Sequence, residues 1–142
     1  MLRRLASLEP RRAALLARAL LWIAAARALL AAPRASLAAW ERGLAWLAAA
    51  LPRAAPCSLD EATWAVTAAA RRVPGTRCLA WSLAMRGFLA QAGLASELRI
   101  GAARDDVGGG LVAHAWIEHE GRSASWGPRD RYAVLRARAT AS

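Results

Sequence analysis

The 142-residue chain contains no lysine and no asparagine, and its only cysteines are Cys57 and Cys78. Two cysteines are too few for a disulfide framework, and these two have no metal-ligand spacing. We therefore expect neither a metal nor another cofactor. A single disulfide would suit an exported protein, whereas both thiols would be free in the cytoplasm, which is the location that we expect.

Basic charge takes one form in this chain, because all 20 basic residues are arginine and none stands in a run longer than two. The formal net charge of +10 would suit a polyanion such as nucleic acid or an anionic membrane. Because the arginines are scattered, we expect no nucleic acid as a partner. A non-enzymatic basic helical protein that binds nucleic acid or a membrane surface remains the alternative from another functional class.

An uninterrupted hydrophobic run is also missing from the alanine- and leucine-rich first third. Arg18 and Arg27 interrupt it, and each would cost about 2.5–3.5 kcal/mol at a bilayer centre. Their spacing puts them on opposite sides of a helix, so that no membrane-spanning orientation avoids both. We predict a helix that packs on the rest of the protein rather than a membrane span or a signal peptide. Peripheral contact with a membrane stays open.

The remaining pattern predicts an α+β domain. Helices are expected over 13–32 and 35–51, with a break at Pro33. A third helix is expected over 59–72, because Ser58 and Glu61 form a capping-box pattern. We assign residues 1–56 to an N-terminal helical segment that packs on a core domain formed by 57–142.

A fourth helix is predicted from Cys78 to a stop at Gly93, after which the period of the apolar residues changes. Residues 94–103 are expected to form a strand, and LVAHAWIEHEG a second strand that ends in a turn at Gly121. RSASW is a candidate for a short third strand. Helices followed by a small antiparallel meander are typical of the α+β class.

Two residues stand out as candidates for chemistry. Cys78 opens a helix directly after Arg77, and helix N-termini together with nearby cations favour the nucleophilic thiolate form of cysteine. His114 lies on a predicted strand well downstream, on the same face as Trp116. A nucleophilic cysteine needs a base that is distant in sequence and adjacent in space. Cys57, just before the Ser58 cap, is expected to be structural.

The two stretches VPGTRCLAWSLAMRGFLAQAGLASELRIGAA and AHAWIEHEGR together resemble the lasso-peptide biosynthesis B proteins, in their stand-alone leader-peptidase form. That group is transglutaminase-like and papain-like. The similar elements are a Cys-Leu pair followed by Ser-Leu in a helix, a glycine after the helix, an Ile-Gly strand and an Ala-His-Ala-Trp strand. The resemblance covers residues from about 58 to 135.

The resemblance implies a cysteine peptidase that removes the leader peptide from a ribosomally made lasso-peptide precursor through a thioester. Cys78 would be the nucleophile and His114 the general base and acid. The family's acid is expected about a dozen residues after the histidine, where this chain has Trp126, and Asp130 is the nearest later acid. A transglutaminase-like acyltransferase of the same fold is the alternative within the family.

The resemblance also implies the partners. Residues 1–56 are too short and too apolar for the β-containing leader-recognition domain that is fused to some family members. A separate leader-recognition protein would therefore supply that function, besides the precursor's leader peptide itself. An ATP-dependent cyclase that closes the macrolactam would act downstream.

Overall fold

Four helices precede a four-stranded antiparallel sheet in the computed structural model, which describes residues 8–32, 35–104 and 107–127 and the backbone of 133–139. The helices are α1 Pro10–Leu30, α2 Leu37–Ala50, α3 Leu59–Arg72 and α4 Cys78–Gln91. The strands are β1 Glu97–Arg104, β2 Leu111–His119, β3 Arg122–Ser125 and β4 Ala133–Ala139. The predicted α+β class is confirmed.

The helix boundaries follow local signals. The predicted bounds of α3 are confirmed. Helix α1 begins at Pro10 rather than at residue 13, because proline is well tolerated in the first turn, where a backbone N–H has no helical partner. At the start of α2, the Ser36 hydroxyl accepts a hydrogen bond from the backbone N–H of Ala39 at 3.2 Å.

The capping box at the start of α3 is complete. The Ser58 hydroxyl accepts a hydrogen bond from the Glu61 backbone N–H at 3.1 Å, and the Glu61 carboxylate accepts one from the Ser58 backbone N–H at 2.9 Å. Arg11 of α1 donates to both carboxylate oxygens of Glu61, each at 3.0 Å. The hydrogen bonds from Arg11 first, and then that from the Ser58 backbone N–H, lower the pKa of Glu61 to about 2.

We expect Ser58→Ala to lower the free energy of unfolding by about 1 kcal/mol, because the first turn of α3 loses its side-chain acceptor. Chemical denaturation followed by circular dichroism measures the change. Ser123→Ala, on the short strand β3, is the control and should change stability by less than about 0.5 kcal/mol. Equal effects of the two substitutions would contradict the role of the cap.

The strands form one sheet in the order β3-β2-β1-β4. The predicted hairpin of β1 and β2 is present, with Gly101 opposite His114 in the register, although β1 begins at Glu97 rather than at residue 94. Strand β3 follows as the short strand that RSASW suggested. The predicted meander did not include β4. This strand pairs with β1 and extends the sheet at the edge away from β3.

The helices and one face of the sheet share a single hydrophobic core. Helix α4 is its centre, because this helix packs against α1, α2, α3 and the sheet. Gly87 of α4 allows the close approach of Trp22 from α1, since a Cβ atom at this position would lie 2.2 Å from the indole ring. The largest fully buried side chains of this core are Trp22, Trp81, Phe88, Leu16 and Ile23.

Helix α1 is long and apolar enough to cross a membrane by length and composition. A core helix of a globular protein meets the same criteria, and one face of α1 is buried in the core described above. That face consists of Leu15, Leu16, Ala19, Trp22, Ile23 and Ala26. The packing agrees with the predicted helix that packs on the rest of the protein.

Candidate active site

Cys78 is the first residue of α4, as predicted, and is half-buried at the edge of the core. A tight turn over 73–77 leads into it, in which the Thr76 hydroxyl donates to the Val73 carbonyl at 2.9 Å. Gly75 of this turn has φ +78°, a conformation that favours glycine. The turn and the helix start together determine where the thiol lies.

Helix α1 contacts this same turn through Arg27. The Arg27 guanidinium donates a hydrogen bond to the Pro74 carbonyl and lies against Gly75. The N-terminal helical segment thereby supports the loop that precedes Cys78. No local sequence pattern indicates this contact, because the two residues are 47 positions apart.

The N-terminus of α4 differs from that of α3. Its N-cap residue, Arg77, makes no side-chain capping hydrogen bond, and its first turn contains no acidic residue. By contrast, α3 has the Ser58 cap, with Asp60 and Glu61 in its first turn. The first backbone N–H groups of a helix have no intrahelical partner and carry partial positive charge. The α4 terminus can therefore stabilise negative charge on the Cys78 sulfur or on a bound oxyanion.

His114 lies in the middle of β2 and is buried, with 7% of its surface exposed. Its imidazole stacks on Trp116, with 6.1 Å between ring centroids and 25° between ring planes. Burial lowers the pKa of His114 from its usual value of 6.5, because the charged imidazolium loses solvation. This burial favours the neutral ring, which is the form that can accept a proton.

The positions of Cys78 and His114 relative to each other follow from the packing of α4 and β2, which carry them. Helix α4 packs against β2. Ala115 and Ile117 of β2 belong to the core that the helices share, and His114 and Trp116 alternate with them along the strand. Helix α4 and strand β2 are thus neighbours, while the alternation along β2 puts His114 and Trp116 on the strand face opposite Ala115 and Ile117. The direct pairing of Cys78 with His114 stays a prediction.

A sequence profile of the transglutaminase-like superfamily matches residues 7–137, which is most of the chain. The chain belongs to the transglutaminase-like superfamily. This superfamily generally comprises cysteine peptidases and acyltransferases, which agrees with the expected kind of chemistry. Comparisons with curated proteins and with solved structures found no match.

Trp126 and Asp130 are the two positions that bear on the group expected to orient the imidazole of His114. Asp130, the predicted candidate, lies outside the described residues. Trp126, which stands near the expected position of the acid, is half-buried and packs against the hydrophobic core. An apolar packing role therefore accounts for Trp126, and the assignment of Asp130 stays a prediction.

Cys57 and His119 are the other cysteine and the other histidine of the chain. Cys57 and Cys78 are both free thiols that pack against the core, and the structural role of Cys57 stays a prediction. His119, the last residue of β2, has 13% of its side chain exposed. Its Nδ1 lies 2.5 Å from the Ala95 carbonyl oxygen, which explains the burial.

We expect the His114 imidazole to titrate below pH 6.5, because burial disfavours its charged form. The unfolded chain then binds more protons than the native state below the ordinary histidine pKa, so the contribution of His114 makes the native state less stable as the pH falls through this range. NMR titration of the imidazole C–H resonances measures the midpoint, and His114→Gln assigns them. A midpoint at or above 6.5 would contradict a pKa that is governed by burial alone.

Proposed function

We propose that this protein is a cysteine peptidase that removes the leader peptide from a ribosomally synthesised lasso-peptide precursor. The observation that carries the proposal is the half-buried Cys78 at the uncapped N-terminus of a helix that packs against the strand of His114. Membership of the transglutaminase-like superfamily supports the general chemistry. The resemblance of the Cys78 and His114 stretches to leader peptidases supports the finer assignment.

The chemistry uses the two residues in turn. His114 accepts the thiol proton while the Cys78 sulfur attacks the carbonyl carbon of the scissile peptide bond. The C–N bond then breaks, and His114 returns the proton to the leaving amine, which leaves the leader bound as a thioester. Water, deprotonated by His114, attacks the thioester and releases the leader acid and the thiol.

Charge on the tetrahedral intermediates needs donors that are already in position. The backbone N–H of Cys78 is one such donor, because it belongs to the uncapped first turn of α4. In enzymes with a catalytic triad, a third residue holds the imidazole in the correct orientation. We propose Asp130 for this role. Asp130→Asn should then lower the rate of cleavage, whereas a Cys78–His114 dyad would tolerate this substitution.

The proposal includes partners and a location. The precursor's leader peptide is the bound substrate, a separate leader-recognition protein presents it, and an ATP-dependent cyclase uses the released core peptide. The reaction is proposed to take place in the cytoplasm. Purification of the chain with a precursor and a recognition protein from the same gene neighbourhood, followed by mass spectrometry of the products, tests this assignment.

The same experiment separates hydrolysis from acyl transfer. We expect two products whose masses sum to the mass of the precursor plus one water, because water resolves the thioester. Addition of an amine such as glycine ethyl ester provides the competing acceptor. A predominant leader amide would instead favour the acyltransferase alternative, and an intact precursor would contradict both enzymatic functions.

A further inference from the structure

A cavity of about 460 Å³ lies beside the N-terminal half of α1. Its other walls are the segment 52–56 and Gln91, the last residue of α4. Cys78 is the first residue of the same helix, so the cavity lies at the opposite end of α4 from the thiol. The charged lining residues are Arg11, Arg18 and Arg53.

Arg18 is held in this wall without an acidic partner. Its guanidinium lies 3.8 Å above the Phe88 ring, and Nη2 lies 3.8 Å from the sulfur of Cys57. Its Nε is buried and has no hydrogen-bond partner among the residues that the structure describes, and none of their carboxylates forms an ion pair with Arg18. Burial lowers the pKa of Arg18. A desolvated cation of this kind is stabilised by an anion that enters the cavity.

Arg53 is the second cation in this wall without an ion pair to a described carboxylate. Its guanidinium packs over Gly93, where an added Cβ atom would lie 2.2 Å from Nη2. Arg11, in contrast, is already occupied by Glu61 and by the Pro56 carbonyl. The amide of Gln91 is also occupied, since it donates to Pro52 and accepts from Trp22.

We propose that this cavity binds a carboxylate side chain of an acidic peptide through Arg18 and Arg53. Guanidinium groups form strong charge-assisted hydrogen bonds with carboxylates. The apolar lining residues Leu15 and Ala54 suit the aliphatic part of a glutamate. The segment 1–56 has nine arginines against two acids, so its charge complements an acidic partner.

The distance of the cavity from Cys78 determines which part of the precursor it could bind. This role rests on the function proposed above. Helix α4 has 14 residues, so its ends are about 20 Å apart at 1.5 Å per residue. An extended peptide covers this distance with about six residues. The cavity would then hold an acidic side chain of the precursor at least about six residues from the scissile bond.

The binding experiment uses a rhodamine-labelled decapeptide of alternating glutamate and alanine, with the glutamine–alanine peptide as the probe control. Fluorescence polarisation at low salt measures the affinity for the full chain and for its variants. We expect Arg18→Gln and Arg53→Gln each to weaken binding of the glutamate probe by about tenfold. The control variants, Arg42→Gln and Arg104→Gln, remove the same charge from exposed positions outside the cavity and should change affinity by less than about twofold.

Each result decides the proposal. Equal loss in all four variants would show attraction by net charge and would overturn it, as would equal binding of the two probes or no binding to the unmodified chain. Thermal unfolding checks the fold of each variant, and the exposed Arg53 keeps the test valid if Arg18→Gln unfolds. Cys78→Ala should bind the probe normally, so that a failure of the peptidase function and a failure of this cavity remain distinguishable.

Discussion

Replacement of Cys78 by alanine is expected to abolish cleavage of the precursor, with a fall in rate of about 10⁴-fold or more. The thiol supplies the nucleophile, and the neutral imidazole of His114 and the N–H groups at the start of α4 cannot replace it. Product formation over time, measured by mass spectrometry with the cognate precursor, gives the rate.

The fold should survive this substitution, because Cys78 is half-buried at the edge of the core and its side chain is small. Cys57→Ala is the matched control, since Cys57 is also half-buried and free, and it should retain cleavage. A Cys78→Ala protein that processes precursor at the normal rate would show that another group performs the reaction.

Trp22→Ala is expected to lower the free energy of unfolding by about 3–5 kcal/mol. Only 1% of Trp22 is exposed, and its indole N–H donates to the Gln91 side chain at 2.9 Å. The substitution leaves a large cavity between α1 and α4 and removes the partner of a half-buried amide. Chemical denaturation measures the loss.

A double-mutant cycle with Gly87 tests the contact that causes this effect. In the unmodified chain, Gly87→Ala should destabilise by about 1–3 kcal/mol, because the new Cβ atom would overlap the Trp22 ring. In the Trp22→Ala background the same substitution should be neutral or should stabilise by up to about 1 kcal/mol, because alanine favours a helix over glycine. A destabilisation of equal size in both backgrounds would contradict the described packing.

Local signals explain which parts of the fold were predictable. The start of α3 follows from the Ser58 capping box, the start of α4 at Cys78 follows from the preceding proline–glycine turn, and β2 follows from the alternation around His114. Each of these signals lies within a few residues of the element that it specifies. The nucleophile candidate and the histidine strand could therefore be located from the sequence alone.

The features that the sequence did not reveal depend on contacts between distant residues. Strand β4 pairs with β1 at the far edge of the sheet, and no turn signal links the two. The hydrogen bond from Arg27 to Pro74 and the fit of Trp22 over Gly87 join α1 to residues much later in the chain. The cavity around Arg18 likewise forms only when α1, the segment 52–56 and the end of α4 come together.

A comparison of alkylation rates tests, without knowledge of the substrate, whether Cys78 is a nucleophile activated by His114. Iodoacetamide is added at pH 7, and peptide mapping by mass spectrometry follows Cys78 and Cys57 in the unmodified chain and in His114→Ala. Both thiols are half-buried, so Cys57 is an internal control. We expect Cys78 to react faster than Cys57, and we expect His114→Ala to slow the reaction of Cys78 alone. Equal rates for the two thiols, or a Cys78 rate that His114→Ala leaves unchanged, would contradict this activation.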